Sequence, residues 1–171
     1  MGTTGYILRR IRAGVADRPT GFVWVQDALA ASGYLASKRQ VAWVGGQGIQ
    51  RILTLTEFPL PSEWVADFEV KHVPMKDHKP PSDASLLEAS AYIDESVRAG
   101  KRILVHCLAG NGRTMCAVAA YLIRSKGMNA DDAITFLRRI RPGAVERRQE
   151  VSLREFASHL GESVVRTSKT G

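Results

Sequence analysis

The chain has 171 residues, 44% of them apolar, and 24 Lys and Arg against 17 Asp and Glu leave it at +7. That is enough to bury one sizeable core and too little for two ordinary domains. No apolar run is long enough to span a membrane, the start lacks a secretory h-region and Tyr6 breaks the myristoylation pattern. With two cysteines, the expectation is one cytoplasmic domain in a reducing compartment, without a membrane partner.

Residues 1–20 read as an N-terminal arm carrying Arg9, Arg10 and Arg12. Tyr6, Ile7, Leu8 and Ile11 offer one apolar patch, as a short helix or as a tail. A single domain is expected over 21–163, with a tail at 164–171. Residues 22–25 are strand-like. Ser37 offers an N-cap to a helix through Val41, Trp43 and Val44 that Gly45 and Gly46 close. Residues 51–56 form a buried-strand run, and Phe68 and Val70 begin another reaching about Pro74. Ser82 or Asp83 caps a helix with Leu86, Ser90, Ile93 and Val97 on one face, and Gly100 ends it. Residues 102–105 then make a short strand.

The helix that follows, through Ala117, Val118, Ala119, Ala120, Leu122 and Ile123, has almost no polar face and is expected to be central; Gly127 ends it. Asn129 caps the next, where Ala130, Ala133, Ile134 and Leu137 recur at helical spacing. A last helix near 148–160 presents Val151, Leu153, Phe156 and Leu160. Strands alternating with helices predict an α/β fold with a mainly parallel central sheet and helices on both faces.

Between the 102–105 strand and the central helix lies His106-Cys107-Leu108-Ala109-Gly110-Asn111-Gly112-Arg113-Thr114. Small residues and glycines let this backbone curl and aim several N–H groups at one point, as anion-binding nests do. A helix N-terminus and the Arg113 guanidinium add positive charge there, which favours a bound oxyanion and favours Cys107 as thiolate. The loop would lie at the carboxyl end of its strand, where open α/β sheets bind ligands.

This His-Cys-x5-Arg-Thr spelling resembles the signature of the cysteine-dependent protein phosphatases. Over roughly residues 20–160 the chain is similar to the small atypical dual-specificity phosphatases that consist of a catalytic domain alone. Further supporting stretches are 22–25, Leu55-Thr56-Glu57, 75–81, and 138–143 with Glu146, Gln149 and Glu150 after it. The resemblance implies metal-independent hydrolysis of phosphate monoesters on phosphotyrosine, and on phosphoserine or phosphothreonine as a second class, through a phosphocysteine intermediate. The partners implied are phosphorylated proteins or peptides and inhibitory oxyanions such as phosphate and vanadate.

That chemistry assigns roles. Cys107 attacks phosphorus. Arg113 offers a planar fork to two phosphate oxygens. Leu108, Ala109, Gly110, Asn111 and Gly112 supply backbone donors to the remainder. Thr114 can hydrogen-bond the sulfur or cap the helix, and the sequence leaves both open. The resemblance gives His106 the part of orienting the loop; simple packing competes with it.

Asp77 lies between Pro74 and the pair Pro80 and Pro81, on a loop that prolines keep out of helix and central strand. It matches the family's acid-loop aspartate by its spacing from the cysteine, and is read as general acid and then base ahead of Asp67 and Asp83. Gln149 matches a position that places the hydrolytic water in relatives, with Glu146 nearby and an ordinary surface glutamine as the competing reading.

Arg138, Arg139, Arg141, Arg147 and Arg148 crowd eleven residues that Pro142 and Gly143 interrupt. The resemblance sets that loop beside the phosphate cradle, where it would attract anionic substrates, against the plainer reading of a solvated surface. Nucleic acid is disfavoured because no aromatic residues interleave with the charge. No cofactor is implied. His72, His78, His106 and the cysteines lack metal-ligand spacing. Cys116 reads as a buried helical cysteine, a protective disulfide with Cys107 being the rarer alternative.

Three functions from different classes remain in view. Beside the protein phosphatase stand a phosphoinositide or RNA 5′-phosphatase and a catalytically weak phosphate-binding module. The uncharged Leu108, Ala109 and Asn111 lower the phosphoinositide option, and the presence of both Cys107 and Arg113 lowers the last.

Overall fold

A computed structural model describes residues 16–168; the apolar patch expected at Tyr6 to Ile11 and the end of the tail lie outside the described residues. In chain order the elements are β1 (Val23–Gln26), β2 (Leu29–Ser32), α1 (Lys38–Gly46), β3 (Arg51–Thr54), a 3-10 turn (Ser62–Trp64), β4 (Glu69–His72), α2 (Asp83–Arg98), β5 (Ile103–His106), α3 (Arg113–Lys126), α4 (Ala130–Ile140) and α5 (Arg147–Ser168). The five strands form one sheet in the order β1-β2-β5-β3-β4. Only β1 and β2 pair antiparallel; β2 with β5, β5 with β3, and β3 with β4 are parallel.

Strand periodicity sets the two layers, because successive side chains point to opposite faces. Along β5, Ile103 and Val105 join Leu53, Met115, Val118, Leu137, Leu153 and Phe156 in the larger core. Leu104 between them turns the other way, with Ile52 and Ala30, onto Val41 and Val44 of α1. Among the described residues, α2 to α5 thus cover one face and α1 covers the other. Every residue of β5 is buried, as a parallel strand covered on both sides must be.

The helices start where the sequence offers caps. Side chains of Ser37, Ser82 and Asn129 accept from the backbone N–H three residues on, in α1, α2 and α4, each stabilising its helix by about 1 kcal/mol. Ser82 takes the cap of α2, and Asp83 is its first helical residue, where a carboxylate suits the helix dipole. α3 is buried from Arg113 to Ile123 and closes on Gly127 at φ 68°.

Two features depart from the sequence reading. β2, read from no pattern, is a fully buried strand between β1 and β5. In α5 the inward face is carried by Gln149, Ser152, Leu153 and Phe156, while Val151 is exposed rather than packed.

Candidate active site

β5 sits in the middle of the sheet, in register with Ser32 of β2 and Thr54 of β3 at His106. The chain leaves its carboxyl end at Cys107, turns through residues 108–112, and enters α3 at Arg113. Cys107 and Arg113 are both buried, each about 2% exposed.

The loop's carbonyls are tied outward. Leu108 O accepts from Tyr34 N at 3.0 Å, Asn111 O from Val145 N at 3.0 Å, and Ala109 O from Arg141 Nη2 at 3.0 Å. In a trans peptide the following N–H points opposite to the carbonyl, so the N–H groups of Ala109, Gly110 and Gly112 face inward. Gly110 N indeed donates to Cys107 Sγ at 3.3 Å. The loop is therefore a nest of donors around a sulfur.

Gly110 has φ 76°, and a Cβ there would stand 2.6 Å from the backbone of Ser32, so both conformation and space require glycine. Gly112 is the N-cap of α3 and makes no side-chain cap bond. A Cβ at 112 would meet the Gln149 amide at 2.9 Å and Glu146 Oε1 at 3.3 Å. Gln149, almost fully buried, thus lies against the end of the loop, and its Oε1 accepts from Glu146 N at 3.1 Å.

Arg113 is held by two carboxylates. Its Nη1 lies 3.0 Å from Glu57 Oε2 and donates to Met75 O at 3.1 Å; its Nη2 lies 2.9 Å from Asp77 Oδ1. Glu57 Oε1 also accepts from Asp77 N at 3.0 Å. Burial pushes the Glu57 carboxyl up, but the N–H of Asp77 and the Arg113 guanidinium outweigh it and hold the group below its ordinary value. The Arg113 Nε and Thr114 Oγ1 atoms are buried without a hydrogen-bond partner among the described residues. In this geometry the Thr114 hydroxyl makes neither the sulfur contact nor the cap.

His106 is fully buried, its Nε2 2.9 Å from Thr54 Oγ1 and its Nδ1 3.3 Å from Cys107 O. Burial pushes its pKa down to about 4, so it is a neutral ring that ties two strands to the start of the loop. Cys116, wholly buried in α3, has its thiol pushed up by burial and then by Cys107 and Glu146. Asp67 and Asp83 lie elsewhere, Asp83 against His159.

Of the residues read from the sequence, the fold brings Asp77 onto Arg113, at the end of the loop that Cys107 opens, and sets Gln149 against Gly112. Glu57 was visible only as part of the resemblance, with no local signal for its bond to Arg113. In the arginine-rich stretch expected to attract anionic substrates or to be a solvated surface, the Arg141 guanidinium bonds Asn111 Oδ1, Gly21 O and Ala109 O. Arg138 likewise holds Ala144 O, Val145 O and Glu150.

The profile of the dual specificity phosphatase catalytic domain matches residues 33–159. The chain belongs to the dual-specificity phosphatase family and carries its catalytic domain. Human dual specificity protein phosphatase 7 is 34% identical over 98 residues, 56% of this chain and 23% of that protein. The phosphatidylglycerophosphate phosphatase PTPMT2 of Arabidopsis thaliana is 31% identical over 126 residues, 70% of this chain and 55% of that one. Among solved structures, Tk-PTP in its active form superposes with TM-score 0.72 at 32% identity, over 82% of this chain and 96% of that one. The chain thus spans under a quarter of the length of the first of these relatives and most of the length of the last. No helix among the described residues is long and apolar enough to cross a membrane.

Proposed function

We propose that the protein hydrolyses phosphate monoesters of phosphotyrosine, and of phosphoserine or phosphothreonine, through a phosphocysteine intermediate at Cys107. The observation that carries this reading is the loop at 107–112, with the carbonyls of Leu108, Ala109 and Asn111 tied outward and the N–H of Gly110 donating to Sγ. A phosphoryl group seated there would meet the loop donors and Arg113, including the unpartnered Nε.

Cys107 Sγ forms the S–P bond as the P–O bond to the leaving group breaks, and Asp77 delivers a proton to the departing oxygen. Water then attacks phosphorus, Asp77 takes its proton, and the S–P bond breaks to return thiolate and release inorganic phosphate. Gln149 would orient that water, a role its nearness to Gly112 supports. Thr114, with its buried unpartnered hydroxyl, would ease departure of the thiolate by a rotation toward it. His106 acts as a positioning residue through Cys107 O and Thr54. The reaction draws on no metal or cofactor. Two free cysteines fit a reducing, cytoplasmic setting.

A second reading, a phospholipid phosphomonoester, is favoured by the similarity to PTPMT2. The absence of lysine between Cys107 and Arg113 weighs against it. The test is turnover of p-nitrophenyl phosphate with a chelator present, beside a panel of phosphopeptides and phosphatidylglycerophosphate vesicles. Vanadate-sensitive turnover lost in Cys107→Ser is expected, with phosphopeptides ahead of vesicles. A wild type indistinguishable from Cys107→Ser overturns catalysis, and vesicles ahead of phosphopeptides moves the substrate class to lipid.

A further inference from the structure

Among the described residues, two non-glycine residues have a left-handed backbone, His78 at φ 53° and Val145 at φ 59°. For a β-branched valine this is an outlier that persists only where its surroundings fix it. One contact joins His78 to the neighbour of Val145. His78 Nδ1 lies 3.4 Å from Oε2 of Glu146, the residue that follows Val145. The other ring nitrogen, Nε2, lies 3.8 Å from Asp77 Oδ2.

Each side of this contact is anchored to the phosphate cradle. On one side, Asp77 N donates to Glu57, which holds Arg113, and His78 N donates back to Asp77 Oδ1 at 3.1 Å. On the other, Val145 N donates to Asn111 O and Arg138 holds Val145 O. Packing does not force the imidazole there, since its side chain is 75% exposed. From this backbone the ring reaches Asp77 by one nitrogen and Glu146, just before α5, by the other.

We propose that His78 and Glu146 form a clasp that positions Asp77 over the cradle, both acting as positioning residues for proton delivery to the leaving group. The proposal rests on Asp77 being the general acid. Glu57 fixes the acid loop from the β3 side; the clasp fixes it from the α5 side. Without the clasp the carboxyl would still be present but displaced, and displacement by about 1 Å is enough to slow a proton transfer by one to two orders of magnitude.

The test compares aryl phosphates of graded leaving-group acidity in wild type, His78→Asn, Glu146→Gln, the pair together, Asp77→Asn, and Asp77→Asn with Glu146→Gln. Asparagine tolerates the left-handed backbone yet is too short to bridge, so His78→Asn removes the ring without adding strain. Each single variant is expected to lose about tenfold in kcat on phenyl phosphate and about twofold or less on p-nitrophenyl phosphate, with KM unchanged. The pair should lose no more than the worse single variant, and Glu146→Gln should add nothing to Asp77→Asn.

Equal losses on both substrates, silent single variants, or a loss from Glu146→Gln that persists beside Asp77→Asn would overturn the clasp. If Asp77→Asn is sensitive to the leaving group while the clasp variants are silent, the clasp alone falls. If Asp77→Asn is itself insensitive, the acid assignment falls and the clasp with it.

Discussion

Asp77 Oδ1 and Arg113 Nη2 are 2.9 Å apart, so the proposed acid and the proposed phosphate clamp are partners of each other. A phosphoryl group gripped by Arg113 competes for Nη2, and its arrival frees the Asp77 carboxylate, which takes a proton from solvent and turns as the acid to the leaving oxygen. Asp77→Asn is therefore expected to do two opposite things. Turnover of poor leaving groups should fall by about 100-fold or more. Binding of phosphate or vanadate should tighten, because an anionic competitor becomes a neutral amide. Inhibition constants beside kcat for a leaving-group series check both; weaker oxyanion binding would mean that the ion pair preorganises the clamp.

Glu57 shares Arg113 and also receives the N–H of Asp77. Its carboxyl titrates below the ordinary value of 4.5. A depressed folded-state pKa adds stability above the unfolded value, and that stability is lost as pH falls through the folded one. The stability gap between wild type and Glu57→Gln should thus be full above pH 4.5 and close below it. With the Glu57 side chain 48% exposed, solvent screening keeps the gap to about 1 kcal/mol or less. Urea unfolding across this range measures it.

His106 obeys the same sign in a higher pH window, because here burial keeps the folded-state ring neutral. Its pKa of about 4 in the folded state lies below the ordinary 6.5, so between these values the unfolded chain binds more protons. Stability should fall as pH drops from 6.5 to 4, by roughly 3 kcal/mol from this one group. His106→Gln should remove most of that slope. An imidazole titrating near 6.5 by NMR would contradict the buried neutral ring.

The parts of this site that were legible in the sequence are those made by neighbours in the chain. A strand, a curled loop and a helix N-terminus follow within a dozen residues of Cys107, and each announces itself by composition. β2 did not, because Leu29, Ala30, Ala31 and Ser32 contain no β-branched or aromatic residue and, buried on both faces, no alternation. Glu57 and Arg113 are 56 positions apart, and nothing local marks a glutamate that will meet a guanidinium beyond the carboxyl ends of two neighbouring strands. The bracing contacts of Arg141 are hidden for a related reason. A cluster of arginines looks the same whether it faces solvent or closes a loop, and burial is a property of the fold.

Gly110→Ala should disable the cradle with little effect on the core. The new Cβ would stand 2.6 Å from the backbone carbonyl of Ser32, which sits in β2 and has no room to yield. The loop must then turn over, withdrawing Gly110 N from Sγ. We expect turnover to fall by 100-fold or more, as on removing a donor from an oxyanion hole, on the order of 3 kcal/mol. Vanadate should no longer protect Cys107 from alkylation. Thermal unfolding, which reports mostly on the buried sheet, should shift by a few degrees only, on the order of 1 kcal/mol.

Arg141 separates loop support from substrate attraction. Its fork reaches Asn111 Oδ1, Gly21 O and Ala109 O at once, and a lysine ammonium, a point charge without that planar spread, cannot replace it. If the residue works by field alone, Arg141→Lys should keep wild-type kcat/KM and its salt dependence. As a brace for the outward-turned carbonyl of Ala109 it should not: Arg141→Lys and Arg141→Ala should both lower kcat by about tenfold on good and poor leaving groups alike, since the donors of the cradle and not the acid are disturbed. Arg139, Arg147 and Arg148, all exposed, provide the contrast. Their charge reversal should lower kcat/KM for phosphopeptides through KM, in a manner that salt abolishes, and leave kcat unchanged.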